Sequence, residues 1–242
     1  MVANNDQELR AHRLWKDVAD CMQRGSRNPE SVARVLQAIK DRQDFAQTFF
    51  PVDKSAESQL KAWQKLYKKH FGLKRDFSKL RIPEKKEGFD RLIVVVREIP
   101  TSKIIYALQK EMRVWTFTEV KNLDKVQDVV QRPEGDYVIW VRDTQEAHEE
   151  TANKSAEDIH KEGLNTETLK ERLLHELAYF TETGKHMDVD NYTLCSGSRY
   201  AYPGGCVSVP GVRWYPDDDG LDVGWGCLDS RRSDIRGRVA VS

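Results

Sequence analysis

From Asp188 to Ser242 the chain contains no Lys, Glu, Gln or Met, although Asp158–Met187 just before it is rich in them. Those four types are good helix formers. The tail is written instead in Tyr, Trp, Ser, Gly, Asp, Arg, Cys, Val and Pro, which favour strands, turns and loops. The chain must therefore change from helical to β-structure near this point. The same alphabet suits a contact surface, because rigid aromatics supply area and small polar residues supply adaptable hydrogen bonds.

Within the tail, Tyr192–Cys195, Cys206–Trp214, Leu221–Trp225 and Arg238–Val241 read as strands, and Asp217–Gly220 as the turn joining the middle two in a hairpin. Alternation sets Val212, Trp214, Leu221, Val223 and Trp225 on one face. Arg213, Tyr215, Asp222 and Gly224 fall on the other face or in loops.

Upstream, residues 7–48 read as two helices, the second opened by Pro29 and carrying the stripe Val32, Val35, Leu36, Ile39. Ser58–Phe71 reads as a further helix. It gathers Leu60, Trp63, Leu66, Tyr67, His70 and Phe71 on one face and Lys61, Lys65, Lys68 and Lys69 around the other. The charged, turn-prone segment Pro83–Gly88 closes this helical region, 1–88, which we expect to serve docking or oligomerisation. Residues 89–242 then form an α+β domain. Its elements are a buried strand at Arg91–Arg97, a helix from Thr101 to Met112, strands at Val114–Thr118 and Tyr137–Arg142, and helices at Ser155–Lys161 and Thr166–Thr183.

Basic side chains outnumber acidic ones over residues 1–88, and the reverse holds over Glu119–Glu176, so the charges cancel along the chain. No global field favours nucleic acid or membranes. The longest apolar run, Leu92–Val96, is far too short to span a bilayer, and the N-terminus has no apolar signal region, so a cytoplasmic protein without membrane insertion is expected. Free thiols are the default for Cys21, Cys195, Cys206 and Cys227 in a reducing compartment.

Signals for chemistry are sparse. His175–Glu176 begins like a zinc-hydrolase helix, but the position that would need a second histidine is Tyr179. His186 with Cys195, Cys206 and Cys227 matches no compact zinc spacing. Asp217, Asp219 and Asp222 cluster as calcium ligands do, without a distal bidentate glutamate. No cofactor is expected and no catalytic residue is assigned. Two other readings stay open: a metal-dependent hydrolase built on His175, His186 and the tail cysteines, and nucleic-acid binding by the lysine-rich segment 61–86. The helical spacing there argues for core aromatics and solvated lysines.

Between Ser198 and Arg238, every residue except Trp214 and Trp225 is of a type that a codon ending in a pyrimidine can encode. Randomised asparagine codons would leave this pattern. Together with the run Gly224–Ser233 and the terminal Ile235–Val239, it resembles the variable region of proteins diversified by diversity-generating retroelements. The tail is also similar to the ends of proteins from small-genome candidate-phylum bacteria, through Leu194–Arg199 and a closing Arg-x-Arg-x-x-Val-Ser, a likeness that brings no activity with it. The first resemblance implies a C-type-lectin-like fold whose first half would come from Leu92–Val96 and the helices at 102–112 and 166–183. It also implies a non-enzymatic protein that binds a protein or other macromolecule through Tyr200, Tyr202, Arg213, Tyr215, Asp217, Asp222, Arg231, Arg232 and Arg236. Trp214, Trp225 and Val223 would hold the scaffold.

Overall fold

The computed structural model describes residues 15–25, 28–30, 32–33, 37, 54–202 and 204–242. The chain divides into two units, Met1–Asp53 and Lys54–Ser242. In the first, residues 15–23 are helical. The rest of the helix pair expected over 7–48 lies largely outside the described residues, and so does any docking surface on it.

The second unit is α+β. It opens with α1 (Ala56–Phe71), β1 (Arg91–Val95), α2 (Thr101–Glu111), β2 (Arg113–Thr116), β3 (Gln127–Asp128) and β4 (Tyr137–Val141). It continues through α3 (Ala156–Lys161), α4 (Leu169–Thr183), β5 (Tyr192–Leu194), β6 (Ser198–Ala201) and β7 (Val207–Tyr215). The strands β8 (Gly220–Gly226), β9 (Ile235–Arg236) and β10 (Ala240–Val241) complete it. Among the described residues no helix is long and apolar enough to cross a membrane.

All five residues of β1 are buried: the apolar run Leu92–Val95 suits a strand covered on both faces, and Arg91 is paired with Asp143 and Glu182. The strand pairs antiparallel with β4, and β10 lies on the far side of β4, so β1 is an edge strand. Helix α1 closes that edge with side chains. Gln59 Oε1 accepts from the Leu92 N–H at 2.7 Å while its Nε2 donates to Asp90 O at 2.9 Å. Trp63 Nε1 donates to Leu92 O at 2.7 Å. The Tyr67 hydroxyl donates to Val94 O at 2.8 Å and accepts from Val96 N–H at 3.2 Å. Sequence placed α1 in a separate helical region ending at 88; these bonds place it in the second unit. Its lysines do face outward, while Trp63 and Tyr67 are buried as the helical spacing foretold.

The larger sheet runs β2-β8-β7-β5-β9, with β6 on the free stretch of β7 and β3 beside β6. The hairpin expected around Asp217–Gly220 is present, with Val212 opposite Val223 and Trp214 opposite Leu221. Three short strands, β3, β6 and β9, were not anticipated, and the last strand is shorter than Arg238–Val241. Helix α4 starts in a capping box between Thr168 and Glu171 and stops at Gly184, whose φ of 67° is left-handed. It is buried on its leucine stripe and equally at Glu171, Arg172, His175 and Glu176.

A candidate recognition surface on the β7–β8 hairpin

One face of the hairpin, bearing Val212, Trp214, Leu221 and Val223, joins the core. On the other, Arg213 stands opposite Asp222, Tyr215 opposite Gly220 and Gly211 opposite Gly224. Neighbouring strands fill the space these glycines leave. A Cβ on Gly211 would lie 2.0 Å from Tyr192 Cε1, and one on Gly224 would lie 2.9 Å from the Tyr192 hydroxyl oxygen. The Trp115 ring covers Gly220 so closely that a Cβ there would meet it at 2.4 Å. These positions need glycine for close approach of an aromatic ring.

The result is a glycine floor paved with Tyr192 and Trp115, with Tyr215 beside it. The Arg213 guanidinium lies 4.9 Å from the Tyr215 ring centroid, and that of Arg113 lies 5.3 Å from the Trp115 centroid. Arg232 holds Asp234 through both carboxylate oxygens at the rim, and Arg213 Nη1 is 3.9 Å from the same carboxylate. Asp222 is half-buried and makes no hydrogen bond or ion pair among the described residues; burial alone raises its carboxyl above the usual range. Flat aromatic area, fork-like donors and one unpaired carboxylate are the parts of a binding surface.

Of the nine contact residues expected from sequence, the structure gathers Arg213, Tyr215 and Asp222 here, with Arg232 at the edge. Asp217 lies in the exposed turn between the strands. Arg231 is held by Asp158 at the start of α3, with Nε and Nη2 at 2.7 and 2.8 Å from its oxygens. Arg236 reaches Glu149 at 2.6 Å. Tyr200 is only 4% exposed and packs in a ring cluster with Phe117, Tyr202 and Trp225. Trp225 departs from its expected framework role: it is 38% exposed, because it sits near the end of β8 against the Phe117 and Tyr202 rings. Trp214 does serve as framework, 6% exposed and stacked on His186 at 3.3 Å between ring centroids. Sequence reasoning missed Trp115 and Tyr192, which lie outside 198–238. The signal was the glycine set 211, 220 and 224 within strands, which marks where another side chain comes close.

Behind the sheet lies a buried ionic scaffold. Asp188, held at φ 55°, accepts from Arg172 Nε at 2.9 Å and from Arg238 Nη2 at 2.5 Å, and also from the Thr193 hydroxyl. Burial pushes its carboxyl up, but Arg238 and Arg172 outweigh this and hold it below the usual range. Its carbonyl accepts from the Trp214 N–H at 3.1 Å, tying the scaffold to β7. Arg172 also bonds Glu176 at 3.0 Å, and Arg238 donates to the Thr144 and Gln145 carbonyls at 3.1 and 2.7 Å.

His175 Nδ1 lies 2.9 Å from Glu167 Oε1. Burial raises Glu167 to about 7 and, with Arg238 nearby, holds His175 well below the usual imidazole range, so both shifts favour a neutral pair. Burial and then Arg238 lower His148 to about 4. The unfolded chain takes up protons at both imidazoles below pH 6.5 while the folded chain does not, so stability falls as pH drops through that window. Glu167 acts in the opposite sense: between pH 4.5 and about 7 the folded chain keeps a proton that the unfolded chain has lost, so stability falls as pH rises. Two imidazoles outweigh one carboxyl where the windows overlap. Thermal unfolding should therefore peak between roughly pH 6 and 7, and Glu167→Gln should flatten the alkaline side of the curve.

The constellation for a metal-dependent hydrolase is not assembled. His175 is fully buried on Glu167, and His186 bonds Glu176 at 3.1 Å while stacked between Phe180 and Trp214. Cys195 is buried, whereas Cys206 and Cys227 are exposed. Among the described residues no group of three or more His, Cys, Asp or Glu side chains is placed to hold a metal ion, Asp217, Asp219 and Asp222 included. No protein family, curated protein or solved structure matches this chain.

Proposed function

We propose that this chain is a non-enzymatic recognition protein that binds a protein or other macromolecule through the outer face of β7 and β8. The observation that carries this reading is the gathering of Arg213, Tyr215 and Asp222 beside Trp115 and Tyr192 on one partly exposed face. The opposite face is locked to the core and to the Asp188 scaffold. We read the frame as C-type-lectin-like. In support, β10 returns beside β4, α2 and α4 both precede the β7–β8 hairpin in the chain, and the second sheet carries that long hairpin. We read the tail as diversified by a retroelement, since Arg, Tyr and Asp are residues that randomised asparagine codons yield.

Sequencing this gene from many independent isolates tests the reading. Non-synonymous changes should concentrate at Arg213, Tyr215 and Asp222 and at exposed positions such as Arg232. Gly211, Gly220, Val212, Trp214, Val223 and Arg238 should stay fixed, because each is packed without room for exchange. A nearby reverse transcriptase gene and an imperfect copy of the tail-coding DNA, differing at adenines, should accompany them. Changes spread evenly over the two faces, with no such copy, would sink the proposal.

A further inference from the structure

A second feature lies apart from the hairpin surface and does not depend on its reading. A cavity of about 300 Å³ opens at the start of α2, walled by Thr101 and Pro100, by Asp124 and Asp128, and by Arg97 and Lys170. That volume is at the lower end for small-molecule sites. Its walls carry both signs of charge, and most of them are already answered. Asp124 accepts from the Ser102 N–H and hydroxyl, both at 2.7 Å. Glu98, also in the wall, is held by Arg75 at 2.8 Å. Arg97 donates to Pro133 O at 2.8 and 3.2 Å.

Two opposite charges are left loosely met. Lys170 Nζ has one long bond, 3.4 Å to Arg97 O, and no carboxylate within ion-pair distance among the described residues. Asp128 has a 3.3 Å contact to the Ser198 hydroxyl and a 3.5 Å contact to Arg97. The start of α2 is already answered, since Asp124 takes the Ser102 N–H and the Lys103 N–H donates to Pro100 O at 3.0 Å. A simple anion would be repelled by the carboxylates in the wall, and a simple cation by Lys170 and Arg97.

We propose that this cavity binds a small zwitterion of the amino-acid type. Its anionic end meets Lys170, and its cationic end meets Asp128. Burial lowers the Lys170 amine and raises the Asp128 carboxyl, each toward its neutral form. An opposite charge delivered to each would reverse both shifts.

The experiment titrates the full chain calorimetrically with the ω-amino acids from glycine to 6-aminohexanoate, each beside the carboxylic acid and the amine of matching length. One amino acid should bind about tenfold or more tightly than its matched acid and amine, since each end gains a charge-assisted bond. Asp128→Asn should abolish the preference over the acid, and Lys170→Met should abolish binding. Because either variant could misfold, the wild-type chain gives an independent readout. The bound amino acid should slow reductive methylation of Lys170, mapped by mass spectrometry, and leave exposed Lys65 and Lys68 unaffected. Equal binding of the matched acid, no binding by any member of the series, or unchanged methylation of Lys170 would each overturn the proposal.

Discussion

A fragment that begins at residue 89 will not yield a folded monomer, whereas one that begins at Lys54 will. Residue 89 is where the sequence suggests a domain starts, yet removing everything before it takes α1 away. The loss of Leu60, Trp63, Leu66 and Tyr67 from the core comes first. At about 1.5–3 kcal/mol for each large apolar side chain, their burial is comparable to the whole stability of an ordinary domain, about 5–15 kcal/mol. The second loss is the closure of β1. Without Gln59, Trp63 and Tyr67, the groups at Asp90, Leu92, Val94 and Val96 stand open along an apolar edge, which invites pairing with another chain. Light scattering on a sizing column and near-ultraviolet circular dichroism should show aggregate and lost packing for 89–242, and a packed monomer for 54–242. A monomeric, packed 89–242 fragment would show that α1 is dispensable. A finer probe is Tyr67→Phe, which keeps the ring but removes both hydroxyl bonds; it should cost about 1–3 kcal/mol by denaturant titration.

Asp188→Asn should destabilise the fold by about 3–5 kcal/mol, with the midpoint of thermal unfolding falling accordingly. Asparagine keeps the shape and tolerates the left-handed backbone at this position, so the substitution isolates the charge. Arg172 and Arg238 would remain buried without their shared anion, Glu176 answering only the first. The comparison is Arg231→Ala. Its ion pair with Asp158 is more than half exposed on the arginine side, and exposed pairs contribute about 0–1 kcal/mol. Equal effects of the two substitutions would show that the Asp188 scaffold carries no special weight. The loss at Asp188 should also shrink in strong acid, where protonation removes its charge from the wild type as well.

The helices and the hairpin were legible in the sequence because their signals are local. Thr168 with Glu171 and Gly184 bracket α4, and the alternation of Val212, Trp214, Leu221 and Val223 gives the buried face of the hairpin. What stayed hidden depends on distant partners. Nothing beside Gln59 announces that its amide will meet the backbone of residues 90 and 92. Arg172, Asp188 and Arg238 each look like solvated charges in their own stretch, and only the fold makes them one buried cluster. For the surface, strand alternation located Arg213, Tyr215 and Asp222. Tyr192 and Trp115 were beyond it, because the order β2-β8-β7-β5 is a long-range fact. Strands as short as β3 and β9, two residues each, leave too little pattern to detect.

The glycine floor has a consequence for how such a surface would evolve. Two of its rings, Trp115 and Tyr192, are rooted outside 198–238 and are pinned by glycines that admit no side chain. On the proposed reading, exchange at Arg213, Tyr215 and Asp222 would leave this aromatic pavement in place. Every variant would then inherit a constant store of apolar contact area and use its few changeable positions to choose among partners. Weak attachment would come with the scaffold, and selection would act on discrimination from the outset.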